Sequence, residues 1–219
     1  MWRRAEAAYA DRAEAGDQLA AQLRTYADQA SRSEVVVLGL VRGGVPVAAR
    51  VATALDAPLD VLVVRKLGVP WAPEVAFGAV GPGGVAVHNP DVEAYVSRDD
   101  IESVTRAEAD ELARRERRYR GGRAPLDLTG KVAIIVDDGL ATGASARAAV
   151  AVARRLLARS VVVAVPVGAP DSLALLRAEA DEVVCPLAPA TFGAVSRYYG
   201  HFPQTSDEEV IALMAGAGR

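Results

Sequence analysis

Short apolar runs alternate with helical stretches along most of the chain. Val35–Leu40 is a continuous β-branched and leucine run followed by a glycine turn, the pattern of a strand covered on both faces. Leu59–Val64, Lys131–Val136, Ser160–Val165 and Glu182–Cys185 repeat it, and 45–56, Ala144–Ala158 and Pro170–Ala180 read as helices between them. Strands alternating with helices of this length predict βαβ crossovers. The expected fold is α/β, a mainly parallel central sheet with helices on both faces and ligands at the strand C-termini. Residues 2–29 place Ala8, Leu19, Leu23 and Tyr26 among charges, an amphipathic helical segment with an interruption expected near Gly16.

Two segments break the alternation. Residues 66–90 hold Gly68, Pro70, Pro73, Gly78, Gly81, Pro82, Gly83, Gly84 and Pro90. These breakers predict a long loop carrying a small hairpin of Ala76–Val80 with Val85–His88, and 67–84 is the candidate flexible cover over a site. Residues 99–120 read as a charged helix in which Asp110/Arg114, Glu111/Arg115 and Glu116/Arg120 are i,i+4 pairs. That pairing favours a solvated or homodimer-facing surface over an RNA or DNA contact. No fixed-period repeat or Ser/Gly linker divides residues 1–219, so one domain is expected, with a core of about 30–185.

Composition narrows the picture. With 219 residues, 51% of them hydrophobic and 24% charged, the chain has the make-up of a globular protein. A net charge of −3 removes the overall basic field of a general nucleic-acid binder. Cys185 is the sole cysteine and His88 and His201 are far apart, so neither a disulfide framework nor zinc spacing exists. A reducing cytoplasm is expected, and no apolar run long enough for a membrane span or a signal core is found.

The segment that carries chemistry is Val132–Val136 followed by Asp137-Asp138-Gly139-Leu140-Ala141-Thr142-Gly143-Ala144-Ser145. A buried strand ends in two acids, crosses a small-residue loop and enters a helix. Backbone N–H groups at that helix start can surround a phosphate, with the Thr142 and Ser145 hydroxyls as further donors. Two carboxylates beside an anion site make sense only if the ligand also offers donors, as a ribose phosphate does through its vicinal hydroxyls. No Lys follows Gly143, which excludes the P-loop, and Ser145 is followed by Ala146-Arg147, which excludes a G-x-S-x-G nucleophile elbow.

These residues resemble the PRPP motif of the type I phosphoribosyltransferases, where PRPP is 5-phosphoribosyl-1-pyrophosphate. Gly39-Leu40-Val41-Arg42-Gly43-Gly44 is similar to the family's pyrophosphate loop, and Arg65-Lys66 to the basic pair that enters its catalytic loop. The stretches Asp11–Gly16 and Tyr198–Phe202 resemble a poorly characterised branch of the same family. The resemblance implies a Mg²⁺-dependent transfer of the phosphoribosyl group to a nitrogen nucleophile, normally a nucleobase. Asp137 and Asp138 would grip the ribose and touch Mg²⁺ indirectly. Residues 139–145 would hold the 5′-phosphate, and Arg42, Gly43, Gly44, Arg65 and Lys66 the pyrophosphate. It also implies an unusual peptide at Val41–Arg42 or Arg42–Gly43, and a hood from 1–29 and 186–219. In that hood Phe192, Tyr198 and Tyr199 are acceptor-binding candidates. Val165 stands where 6-oxopurine enzymes of the family carry a lysine, which argues against hypoxanthine or guanine. A rival reading is a PRPP or nucleotide sensor without turnover.

Overall fold

The computed structural model describes residues 7–27 and 34–216. The outer parts of the 2–29 segment therefore lie outside the described residues. Five parallel strands form the main sheet: β1 (Val35–Leu40), β2 (Leu59–Leu62), β6 (Val132–Val136), β7 (Ser160–Ala164) and β8 (Glu182–Val184), in the order β2-β1-β6-β7-β8. Every residue of β1 and β6 is buried. Alternate side chains of β1 enter two separate cores, Val35 and Val37 on one face, Val36, Leu38 and Leu40 on the other. This two-sided burial is why the strands read as continuous apolar runs without alternation.

Helices α1 (Arg12–Gln22), α2 (Gly44–Leu55), the short α3 (Pro90–Glu93), α4 (Arg98–Arg120), α5 (Ala144–Arg155), α6 (Pro170–Arg177) and α7 (Asp207–Gly216) complete the regular structure. Asp11 caps α1 by accepting from the Ala13 and Glu14 N–H groups, so the helix starts later than the 2–29 pattern suggested. Gly16 does not interrupt it. An added Cβ at Gly16 would lie 2.6 Å from the Arg50 Cβ, so this glycine lets α1 close onto α2.

Residues 66–90, expected as a long loop carrying a small hairpin, instead contribute to a three-stranded antiparallel sheet of β3 (Arg65–Val69), β4 (Ala72–Gly81) and β5 (Val85–His88). The hairpin of β4 with β5 lies where the sequence placed it, and β3 adds to its other edge. Leu67, Val69, Phe77 and Val80 point into the larger core, and Phe77 is fully buried. Pro73 lies in β4, and the ladder slips around Gly68, whose added Cβ would lie 2.9 Å from the Pro73 carbonyl oxygen. A bulge of this kind accommodates a proline inside a sheet. Trp71, in the turn between β3 and β4, is 64% exposed.

Along α4 the charges are mostly paired. Glu111 binds Arg114 and Arg115, while Arg120 reaches Asp60 on β2 through two hydrogen bonds of 2.9 Å. Arg114 thus takes its partner at i−3 and Arg120 takes one on another element, in place of two of the expected i,i+4 pairs. No helix among the described residues is long and apolar enough to cross a membrane.

Truncating Phe77→Ala should therefore destabilise the protein by about 3–5 kcal/mol in urea unfolding. A loss below about 1 kcal/mol would show that the small sheet is not packed into the core.

Candidate active site

The sheet reverses its direction of growth between β1 and β6, which opens a crevice beyond their C-terminal ends. Gly39 pairs with Val136, so the loop after β1 and the loop after β6 leave the sheet side by side. They interlock through glycine. A Cβ on Gly43 would lie 2.2 Å from Asp138 Oδ2, and one on Gly44 2.4 Å from the Val136 carbonyl oxygen and 2.8 Å from the Asp137 Cα. No side chain fits at either position. The Val41–Arg42 peptide is cis, one of the two bonds the sequence left open.

Together Arg42, Gly43, Asp137 and Asp138 line a cleft of about 420 Å³, whose other walls are Arg12 and Phe202–Thr205. Arg42 also lies 3.4 Å from Asp207 at the start of α7; that carboxylate accepts from the Tyr119 hydroxyl at 2.6 Å and meets Arg118 at 2.8 Å. Asp137 accepts from the Asp138 N–H at 2.9 Å.

Residues 139–143 form a tight connection into α5. The Leu140 N–H donates to the Val167 carbonyl at 2.8 Å, its carbonyl accepts from the Ala169 N–H at 2.8 Å, and Ser172 donates to the Ala141 carbonyl at 2.6 Å. The Leu140 amide is thereby committed to the protein. Gly143 takes φ +73°, the left-handed region, and turns the chain into the helix. By helix geometry the first N–H groups of α5 have no intrahelical partner, while Thr142 and Ser145 are exposed. Lys66 sits on β3 opposite Ala79, outside the residues that line the cleft, and Arg65 is ion-paired with Glu108 of α4 at 2.6 Å.

A hood of two segments covers this end of the sheet. Tyr9 bridges to Tyr199, and Tyr9, Ala15, Val167 and Tyr199 form a third core with Leu187, Phe192, Val195, Tyr198 and Phe202 packed on it. Phe192 and Tyr198 stack at 5.6 Å beside a second cleft of about 1040 Å³, lined also by Leu187, Pro189, Ser196 and Arg197. Tyr199 is buried, tilted between Tyr9 at 5.5 Å and Phe202 at 4.7 Å, with its hydroxyl donating to the Asp138 carbonyl at 2.6 Å. Within the 186–219 hood segment, α7 departs from the others: Val210 and Met214 belong to the larger core.

The sequence reading missed Arg12. Its Nε and Nη2 both donate to Asp138 Oδ2, at 2.9 and 2.7 Å. Nothing in the local pattern distinguishes this arginine from the other charges of α1; only the fold brings it 126 residues along the chain to the acid.

The geometry is that of an α/β protein with a glycine loop and an acid pair at the switch point of its sheet. The chain belongs to the phosphoribosyl transferase family: the model of the phosphoribosyl transferase domain matches residues 7–199. It is 54% identical over 211 residues to a protein of Mycobacterium tuberculosis, strains H37Rv and CDC 1551, named "Putative phosphoribosyl transferase". That match covers 95% of this chain and 47% of the relative, so the chain spans about half the length of the curated relatives it matches. It is also similar to the crystal structure of TT1426 from Thermus thermophilus, with a TM-score of 0.85 and 42% identity over 95% of this chain and 98% of that one.

Burial, reinforced by the neighbouring Asp138 carboxylate, pushes the Asp137 pKa well above the usual carboxylate range. The unfolded chain releases this proton near pH 4. Stability from the protonated form is therefore fully present below about pH 4 and is lost as pH rises through the higher folded pKa. Asp137→Asn keeps an oxygen acceptor for the Asp138 N–H and removes that ionisation. It should raise the melting temperature by about 2 °C or more at pH 8, with the gain shrinking toward pH 4. A lower melting temperature at pH 8 would contradict this assignment.

Proposed function

We propose that the chain transfers the 5-phosphoribosyl group of PRPP to a nitrogen nucleophile, with a nucleobase as the favoured class, and releases pyrophosphate. The observation that carries this reading is the close approach of Gly43 to Asp138 and of Gly44 to Asp137, beside an arginine-bearing cleft that Gly43 and both acids line. In such a site the vicinal hydroxyls of ribose donate to the carboxylates, and the helix-start N–H groups after Gly143 hold the 5′-phosphate. The bare backbone of Gly43 and Gly44 and the Arg42 guanidinium face the diphosphate. The bond from C1 to the pyrophosphate oxygen breaks, a C1–N bond forms, and the proton of the attacking nitrogen passes to the released pyrophosphate or to solvent. Positive charge developing on the ribosyl group is stabilised by the acids, and negative charge on the leaving group by Arg42.

Lys66 and Arg65, at the start of β3, lie outside the cleft lining, and this reading gives them a part only if they approach the departing diphosphate in the substrate complex. Phe192 and Tyr198 offer aromatic faces for a flat acceptor beside the hood cleft. Tyr199 also lines that cleft, but it is largely buried, with its ring packed against Tyr9 and Phe202 and its hydroxyl donating to the Asp138 carbonyl.

The two acids do not suffice for a resident metal. Among the described residues no group of three His, Cys, Asp or Glu converges, and one Asp138 oxygen is taken by Arg12. Mg²⁺ suits the oxygens of PRPP and several waters, so it belongs with the substrate complex, where it offsets charge on the diphosphate.

Pyrophosphate release from PRPP with Mg²⁺ tests the proposal against a panel of nucleobases and other nitrogen nucleophiles. Wild type should release pyrophosphate with at least one acceptor, and Asp137→Asn/Asp138→Asn should lower the rate at least about a hundred-fold. Unchanged release in the double variant would overturn the ribose assignment. PRPP binding with no release for any acceptor would shift the reading to a sensor.

A further inference from the structure

Asp138 is held from two directions by residues to which the phosphoribosyl reading assigns no part. Both hydrogen bonds from Arg12 fall on one carboxylate oxygen, Oδ2. Gly43 crowds the same oxygen, since a Cβ there would lie 2.2 Å from Oδ2 but 3.3 Å from Oδ1. Oδ2 is thus enclosed by protein, and Oδ1 is the oxygen left for a ligand. The third arm of Arg12, Nη1, donates to the Pro203 carbonyl at 2.7 Å, and the guanidinium lies 3.9 Å from the Phe202 ring centre. Tyr199 packs on the same Phe202 ring and grips the Asp138 main chain through its carbonyl. The ion pair is largely sheltered, with side-chain exposures of 11% for Arg12 and 15% for Asp138.

We infer that Arg12 and Tyr199 are positioning residues, a clamp from the two hood segments that fixes Asp138 so that Oδ1 is presented to the ribose hydroxyls. The inference rests on the phosphoribosyl reading of the cleft. A carboxylate on its own turns easily about its terminal torsion, and a second carboxylate beside it drives the two apart. Two charge-assisted donors on one oxygen stop the rotation and supply opposite charge, which leaves the other oxygen oriented before the ligand arrives. The opposite role, a guanidinium that plugs the ribose site, predicts the opposite sign: loss of Arg12 would then tighten sugar binding.

Calorimetry with ribose 5-phosphate and inorganic pyrophosphate as separate probes distinguishes the two. Arg12→Gln should weaken ribose 5-phosphate binding about ten-fold or more and pyrophosphate binding several-fold less than that. Arg12→Lys should fall between Arg12→Gln and wild type. Tyr199→Phe, which removes one hydroxyl and keeps the ring packing, should weaken only the sugar phosphate, by a few-fold. In an Asp138→Asn background, Arg12→Gln should add nothing, because the clamp acts through that carboxylate. Sugar binding that is unchanged or tighter in Arg12→Gln, or an equal loss of both ligands in Arg12→Gln and Tyr199→Phe, overturns the clamp. Wild type that binds neither probe overturns the phosphoribosyl reading and the clamp with it.

Discussion

The structure depends on the contact between a bare backbone and a pair of acids. Strands β1 and β6 are neighbours, run parallel and end in register, so whatever follows them must share one small volume. Glycine at 43 and 44 makes that sharing feasible, since each would otherwise place a carbon inside the van der Waals radius of the facing strand end. The same packing leaves Asp137 and Asp138 half-buried, lining the cleft. Burial of like charges is unfavourable unless something offsets it, and the molecule supplies Arg12 for one acid and a backbone N–H for the other. An arrangement this costly at one end of a sheet, with the rest of the core apolar, is the signature of a binding site.

The hood follows from this constraint. Its two segments are remote in sequence, yet they meet through the bridge between Tyr9 and Tyr199, and the aromatic side chains between them reach down to Asp138. Val195 rests on the loop between β6 and α5, where a Cβ on Gly139 would lie 2.5 Å from its side chain. Hood and loops are therefore one packed unit. The match to family members establishes the family, while the greater length of the Mycobacterium tuberculosis relatives makes the whole-protein activity a separate question from the geometry of this cleft.

Much of the architecture was legible in the sequence because the main sheet is buried on both faces. Val35–Leu40 and Val132–Val136 can hardly be anything but covered strands, and the connection from β6 through Gly143 into α5 follows the sequence order. Residues 65–88 were misread for a physical reason. Leu67, Val69, Phe77 and Ala79 alternate as a half-buried sheet should, but five glycines and three prolines among residues 67–84 outweigh a signal only a few residues long. The interruption placed at Gly16 fails likewise, because a missing side chain can mark a close approach as well as a break. Arg12 lay beyond reach of any local pattern: its partner is set by tertiary structure alone. For Tyr199 the sequence offered an aromatic ring near the hood, and only packing shows that the ring faces inward.

Trp71 stands on the tip of the small sheet, largely open to solvent, and Trp2 is the only other indole in the chain, outside the described residues. The protein thus carries a native fluorophore on the turn joining β3 to β4. With Trp2 replaced by phenylalanine, its emission wavelength and quenching report the surroundings of that turn without an attached dye, separately from the tyrosine-rich hood.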